Sequence, residues 1–258
     1  MGFDLDGANV VITGGGGGIG SAMARRFAAA GARVVVADLD ADAVTAVAKE
    51  TGGVAVPGDA ASEAGVRRLI ATAVDEFGVV DLYCANAGVA PEGGPEAAEA
   101  SWAQAWDVNV MAHVRAAELL LPSWLERCRG RFLATVSSAG MLSMLGSAPY
   151  AVTKHGALAF AEWLSIAYRH RGITVQALCP QGVRTSMLTE AGQGVRSLVE
   201  PTAISPEQVA ETVVAAFADD PFLILPHPEI VDYYRARAAD TGRWIAGMNQ
   251  LQRKIEKM

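Results

Sequence analysis

Thr13-Gly14-Gly15-Gly16-Gly17-Gly18-Ile19-Gly20 follows the short apolar run Ala8–Ile12 directly and opens a helical pattern over Ile19–Ala30. Strand, glycine turn and helix in that order build a cradle for a dinucleotide. Glycines let the backbone turn tightly and approach the phosphates, and the helix N-terminus supplies N–H donors and the positive end of its dipole. Glycines also mark ordinary turns, and the spacing Gly14-x3-Gly18-x-Gly20 departs from plain GxGxxG, so the context carries the reading rather than the glycines alone.

Outward from this turn, β-type runs alternate with helical patterns. Ala8–Ile12, Arg33–Ala37, Val54–Pro57, Val80–Ala85, Arg131–Val136, Ile173–Leu178 and Phe222–Leu225 are apolar and rich in β-branched residues. Several are continuous rather than alternating, as strands buried on both faces are. Helix candidates lie at Ile19–Ala30, Ala41–Glu50, Glu63–Phe77, Ala98–Cys128, Tyr150–Arg171 and Pro206–Ala218. The alternation predicts an α/β fold: a doubly wound, Rossmann-type parallel sheet of about seven strands with helices on both faces. Ligands then bind beyond the carboxyl ends of the strands. The polar, glycine-containing stretch Ser186–Ile204 falls at that end and suits a substrate lid or an ordinary surface loop. No linker divides the chain, so residues 1–258 are expected to form one domain, closed by a helical tail from about residue 229 onward.

Composition narrows the classes. Apolar residues make up 51% of the 258 positions and charged residues 19%, enough for a large core and too apolar for disorder. The net charge is −7 with no basic run, which leaves no electrostatic footprint for nucleic acid. Cys84, Cys128 and Cys179 form no CxxC pair and no metal spacing with the four histidines, so no metal is expected and a reducing compartment is. No basic-then-apolar leader and no membrane-length apolar stretch occur, and the expected location is the cytoplasm.

Two further features bear on chemistry. The run Val34-Val35-Val36-Ala37 ends at Asp38, where a carboxylate can accept hydrogen bonds from a ribose 2′-hydroxyl but repels a 2′-phosphate. Asp40 adds to that charge, and neither the glycine loop nor the segment after Asp38 offers Arg or Lys; NAD is therefore expected over NADP. Tyr150 and Lys154 stand four apart on a helical pattern, so phenol and ammonium share a face. A cation beside a phenol favours the phenolate and fits it for general-base work near neutral pH. Ser137 precedes Tyr150 by thirteen positions and Gly140 by three.

With these motifs in order, the chain resembles the short-chain dehydrogenase/reductase family, in its single-domain subgroup, over residues 5–225. The resemblance rests on Thr13-Gly14-x3-Gly18-Ile19-Gly20, on Asn86-Ala87-Gly88 after the fourth strand, and on Asn109, Ser137, Tyr150 and Lys154 as a catalytic tetrad. It implies cofactor contacts from Gly14, Gly18, Ile19, Gly20, Asp38, Asp59, Ala60, Asn86, Ala87, Gly88, Tyr150 and Lys154. Pro180, Gly182, Val183 and Thr185 are implied at the nicotinamide end. By the same resemblance Ser137 positions the substrate oxygen, Lys154 lowers the Tyr150 pKa, and Asn109 fixes a water that links Lys154 to solvent. Two departures stand out: Ala85 replaces the first Asn of the usual NNAG, and Gln181 replaces the glycine that usually follows the proline.

The expected reaction is NAD-dependent interconversion of a secondary alcohol and its ketone, with oxidation the expected direction. A 3-oxoacyl or other carbonyl reductase, and a non-catalytic NAD-binding sensor or scaffold, are the alternatives. Met141, Leu142, Gln181 and Met187, together with Ser137, are candidate substrate contacts, and Met144, Leu145 and Leu188 add to a lipid-like, terpenoid, steroid or aromatic pocket. The resemblance also implies a homo-oligomer, tetramer or dimer, formed through the two long helices.

Overall fold

Val10 and Ile12 point to one face of the central sheet and Val11 to the other, and both faces are buried. Val10 and Ile12 join Met23, Phe27, Val36 and Val209 in one core cluster. Val11 joins Leu69, Trp124, Phe132 and Leu164 in the second. A strand apolar on both faces is stable only between two helical layers, which is why these runs read as continuous. The computed structural model describes residues 2–257. Its sheet holds β1 (Asn9–Thr13), β2 (Arg33–Asp38), β3 (Val54–Pro57), β4 (Leu82–Ala85), β5 (Gly130–Thr135), β6 (Ile173–Leu178) and β7 (Leu223–Ile224). All pairs are parallel, in the order β3-β2-β1-β4-β5-β6-β7. The order reverses between β1 and β4, and the crevice at that switch point is where this architecture takes its ligand.

The helices are α1 (Gly18–Ala29), α2 (Ala41–Thr51), α3 (Glu63–Phe77), α4 (Glu99–Trp106), α5 (Ala112–Glu126), α6 (Ala148–Tyr168), α7 (Ser186–Glu190), α8 (Gln193–Val199), α9 (Pro206–Ala216), α10 (Ile230–Ala239) and α11 (Thr241–Ile255). The doubly wound fold expected from the sequence is present, with strand ends matching the expected ones to within two residues. Three differences have physical causes. The helix expected over Ala98–Cys128 is interrupted by a π-turn at Asp107–Met111, which joins α4 to α5. Helix α6 begins at Ala148 rather than Tyr150, because the Ser147 hydroxyl caps it by accepting from the Tyr150 N–H at 3.2 Å. The stretch Ser186–Ile204 is folded as α7, α8 and a 3-10 turn, Glu200–Thr202.

The tail packs back onto the body. Trp244 of α11 lies against the second core cluster, and Ile255 fits so closely on α8 that a Cβ added at Gly194 would lie 2.1 Å from its Cγ2. Arg237 of α10 donates to the Met141 carbonyl. Cys84 in β4 and Cys179 just after β6 are buried and Cys128 is exposed, all three as free thiols. Among the described residues no helix is long and apolar enough to cross a membrane, and no cluster of His, Cys, Asp and Glu has metal-holding geometry.

Candidate active site

The carboxyl ends of β1, β4 and β5 are laced together by short polar side chains. Thr13 Oγ1 accepts from the N–H groups of Asn86 and Ala87 at 2.9 and 3.0 Å. The Asn86 amide donates to the carbonyls of Thr13 and Gly14, and its oxygen accepts from Thr135 Oγ1 at 3.1 Å. This lacing fixes the floor of a cleft of about 650 Å3. The glycine turn forms one wall. Gly18 stands at φ +51°, a region a Cβ disfavours, and a Cβ on Gly20 would lie 2.0 Å from the Gly14 carbonyl oxygen. The first turn of α1 has no side-chain cap and no acidic residue, so its N–H groups and dipole face the cleft uncompensated, as a phosphate requires.

Asp38 stands at the rim of the same wall. One carboxylate oxygen accepts from the Gly16 N–H at 2.9 Å and the other from the Asp40 N–H at 3.2 Å, which holds the group against the glycine loop. Asp40, not Asp38, caps α2.

The catalytic candidates come from three elements. The π-turn widens the helix at Asn109 and sends its side chain inward, a local geometry common at functional sites. Asn109 is fully buried; its amide donates to the Val89 carbonyl at 2.9 Å and to Thr153 Oγ1 at 3.0 Å, and its oxygen accepts from the Val89 N–H at 3.0 Å. It therefore ties the segment after β4 to α6. Its oxygen and Lys154 Nζ approach the same side of Gly88, 3.2 and 3.4 Å from where a Cβ would stand.

Ser137 occupies a strained backbone, φ 150° and ψ 156°, in a region almost reserved for glycine. The Ser138 N–H donating to the Pro180 carbonyl at 2.8 Å and the Ala139 N–H donating to Ser137 Oγ at 3.1 Å hold it there. Gly140 lets this turn lie directly on α6: a Cβ at that position would come within 2.5 Å of the Lys154 carbonyl oxygen. The glycine three residues after the serine is thus a spacing device that brings Ser137 to Tyr150.

Tyr150 and Lys154 are both buried and lie on one face of α6, with Lys154 Nζ 5.7 Å from the Tyr150 ring centre. The ammonium donates to the Thr135 carbonyl at 2.8 Å. Burial lowers the Lys154 pKa to about 8. Burial also raises the Tyr150 pKa, opposed by the Ser137 hydroxyl, which hydrogen-bonds to it and favours the phenolate. The resemblance implies that Lys154 lowers the Tyr150 pKa; in the free protein the balance of burial against the Ser137 hydrogen bond leaves the phenol above its ordinary value. His155, next in sequence, points away and bonds the Ala151 carbonyl at 2.8 Å.

Most of the residues singled out by sequence meet in this cleft. Gly14, Gly18, Ile19, Asp38, Asn86, Ala87 and Gly88 line it. So do Ser137, Tyr150, Lys154, Pro180, Gln181, Gly182, Val183, Thr185 and Met187. Gly20 lies behind the turn and acts by allowing close packing. Asp59 and Ala60 do not line the cleft; the Asp59 carboxylate accepts from the N–H groups of Ala61 and Ser62, and Ala60 is buried. Met141 and Leu142 are corrected: both are buried in the core cluster under α6, because the Gly140 contact turns that segment inward. Met144 and Leu188, raised from sequence as further apolar loop residues, do line the cleft. Glu92, Gln104, Val195 and Val199 also line it and carry no motif in the sequence; Val195 and Val199 are brought there by the helical order of α8. The displaced glycine after Pro180 is accommodated by His227, whose Nδ1 accepts from the Gln181 N–H at 3.2 Å.

A switch-point cleft, an uncapped glycine turn and a buried serine–tyrosine–lysine group define a dinucleotide-binding oxidoreductase site. The family described as short chain dehydrogenase matches residues 8–196, and the chain belongs to it. A 1-deoxy-11-beta-hydroxypentalenate dehydrogenase of Streptomyces exfoliatus is 37% identical over 248 residues, covering 92% of this chain and 89% of that protein. A 2,5-dichloro-2,5-cyclohexadiene-1,4-diol dehydrogenase of Sphingobium indicum is 34% identical, covering 73% of this chain and 77% of the other. A short-chain dehydrogenase/reductase from Burkholderia phymatum, solved in complex with NAD, superposes with a TM-score of 0.85 at 28% identity, over 93% of this chain and 95% of that one.

Proposed function

We propose that this protein is a cytoplasmic, NAD-preferring dehydrogenase that oxidises a bulky, apolar alicyclic secondary alcohol to its ketone. The observation that carries the reading is the convergence of Ser137, Tyr150 and Lys154 on one end of a cleft whose other end is the glycine turn and Asp38. The residues fit a dinucleotide: Gly14, Gly18, Ile19 and the first turn of α1 would hold the pyrophosphate, Asp38 the adenosine ribose, and Asn86 to Gly88, Lys154 and Thr185 the nicotinamide half. When bound, the nicotinamide ring accepts or supplies the hydride.

Within that frame the chain's own groups handle the proton and the geometry. Ser137 Oγ, held by its strained turn, donates to the substrate oxygen and orients it. Tyr150 takes the hydroxyl proton during oxidation and returns it during reduction. Lys154 stabilises the phenolate, and Asn109 keeps α6 and the segment after β4 at fixed separation. Asp38 supports NAD over NADP, since a 2′-phosphate would face a carboxylate that two backbone N–H groups hold in place. The wall of Met144, Met187, Leu188, Val195 and Val199 supports a bulky apolar substrate, and the cyclohexadiene ring in the name of the Sphingobium relative's substrate supports an alicyclic one. NADH formation from NAD+ across alicyclic and small polyhydroxylated alcohols tests this: turnover of the alicyclic members, faster with NAD+ than NADP+, is expected. Equal turnover of polyols would remove the substrate class.

The proposal includes self-association. Trp106, Val152, Trp163 and Ile166 leave large apolar side chains exposed along α4 and α6, the kind of surface that a partner subunit covers. Light scattering is expected to give a dimer or tetramer for the native chain and a monomer for Trp163→Glu combined with Ile166→Glu. A native monomer at micromolar concentration would refute it.

A further inference from the structure

Charge around the substrate half of the cleft is one-sided. Among the described residues, Glu92 and Glu190 are the charged side chains lining it beyond the catalytic group, and the one cation lining the cleft is Lys154, which is buried and donates to the Thr135 carbonyl. Glu92 is fixed at the seam between the body and the lid: its Oε1 accepts from the Gly192 N–H at 2.6 Å. The arginines of the surrounding elements are turned elsewhere. Arg184 donates to the Ala203 carbonyl, Arg196 pairs with Glu200 at 3.7 Å, and Arg237 donates to the Met141 carbonyl; none lines the cleft.

A substrate carboxylate or phosphate entering this space would leave water for an apolar wall on which, among the described residues, no arginine stands and the one lysine, Lys154, is already bonded to the Thr135 carbonyl. It would also meet two like charges at the mouth. We infer that the enzyme is built for substrates that are uncharged beyond the reacting alcohol or ketone, and that Glu92 and Glu190 exclude anionic analogues of the same size. This rests on the reading that the lid-covered half of the cleft receives the substrate. It separates this chain from the relatives of Streptomyces, whose substrate name denotes a carboxylate. Repulsion of the wrong partner is one of the two ways a site gains selectivity, beside contacts to the right one.

The test uses three ketones of one skeleton: 4-oxocyclohexanecarboxamide, its methyl ester analogue and 4-oxocyclohexanecarboxylate. Binding is measured by calorimetry to the enzyme–NAD+ complex, in which a ketone cannot be reduced. The carboxylate is expected to bind at least about tenfold more weakly than the isosteric carboxamide at low salt. Added salt is expected to narrow that ratio. Glu92→Gln with Glu190→Gln is expected to narrow it by roughly threefold or more, since glutamine keeps an acceptor for the Gly192 N–H and loses the charge. Carboxylate binding equal to or tighter than carboxamide binding would overturn the inference, as would a ratio indifferent to both glutamates. Reduction of the ester with NADH, followed separately, reports on the catalytic reading. A preserved binding ratio without turnover would defeat that reading and leave this one standing.

Discussion

Tyr150→Phe is expected to lower kcat for alcohol oxidation by about 10^2- to 10^4-fold, the range that a positioned acid–base group contributes, with NADH still bound. Under the proposed mechanism the phenol exchanges the reacting proton, while Ser137 orients the substrate oxygen and Lys154 donates to the Thr135 carbonyl. The phenyl ring preserves the packing of Tyr150 on α6, so loss of turnover without loss of fold isolates the proton. Turnover within a few-fold of the native enzyme would refute the assignment. The pH profile carries the same signature. Oxidation needs the tyrosine–lysine pair to give up a proton, and burial holds the phenol above its ordinary value while bringing Lys154 to about 8. Oxidation is therefore expected to rise as pH increases through about 8 and ketone reduction to fall, with apparent values that belong to the pair. An oxidation rate flat from neutral to alkaline pH would contradict it.

The parts of this site that were legible in the sequence are those whose chemistry demands a residue type at a fixed spacing. Glycines at Gly14, Gly18 and Gly20 are required by close backbone approach, and Tyr150 with Lys154 by one turn of helix. Strand and helix order followed from burial on both faces of the sheet. What the sequence did not disclose depends on how segments cross in space. Asn109 sits in an unbroken helical pattern, and the π-turn that aims it inward arises from its bonds to Val89 and Thr153, neither adjacent in the chain. Met141 and Leu142 look like pocket residues because they follow an active-site serine; the contact of Gly140 with Lys154 turns them into the core. The lid's apolar wall was hidden because short helices such as α7 and α8 have little intrinsic stability and are held by packing, here with Ile255 of the tail, rather than by a local signal.

Asp38→Ala combined with Leu39→Arg is expected to reverse the cofactor preference, raising kcat/KM for NADP+ and lowering it for NAD+, for a combined change of about two to three orders of magnitude in their ratio. Asp38 ends β2 with its carboxylate held by the Gly16 and Asp40 N–H groups, which puts a negative charge where the proposal seats the adenosine ribose. Leu39 follows it with 76% of its surface exposed, so an arginine there has room to turn toward the ribose without displacing core. Removing the carboxylate alone ends the repulsion but leaves the Gly16 N–H without its partner and loosens the glycine loop. Asp38→Ala by itself is therefore expected to weaken NAD+ binding more than it improves NADP+ binding, and the arginine supplies the missing counter-charge. An unchanged ratio in the double variant would show that selectivity lies elsewhere in the cleft, and a native enzyme equally active with both cofactors would refute the role given to Asp38.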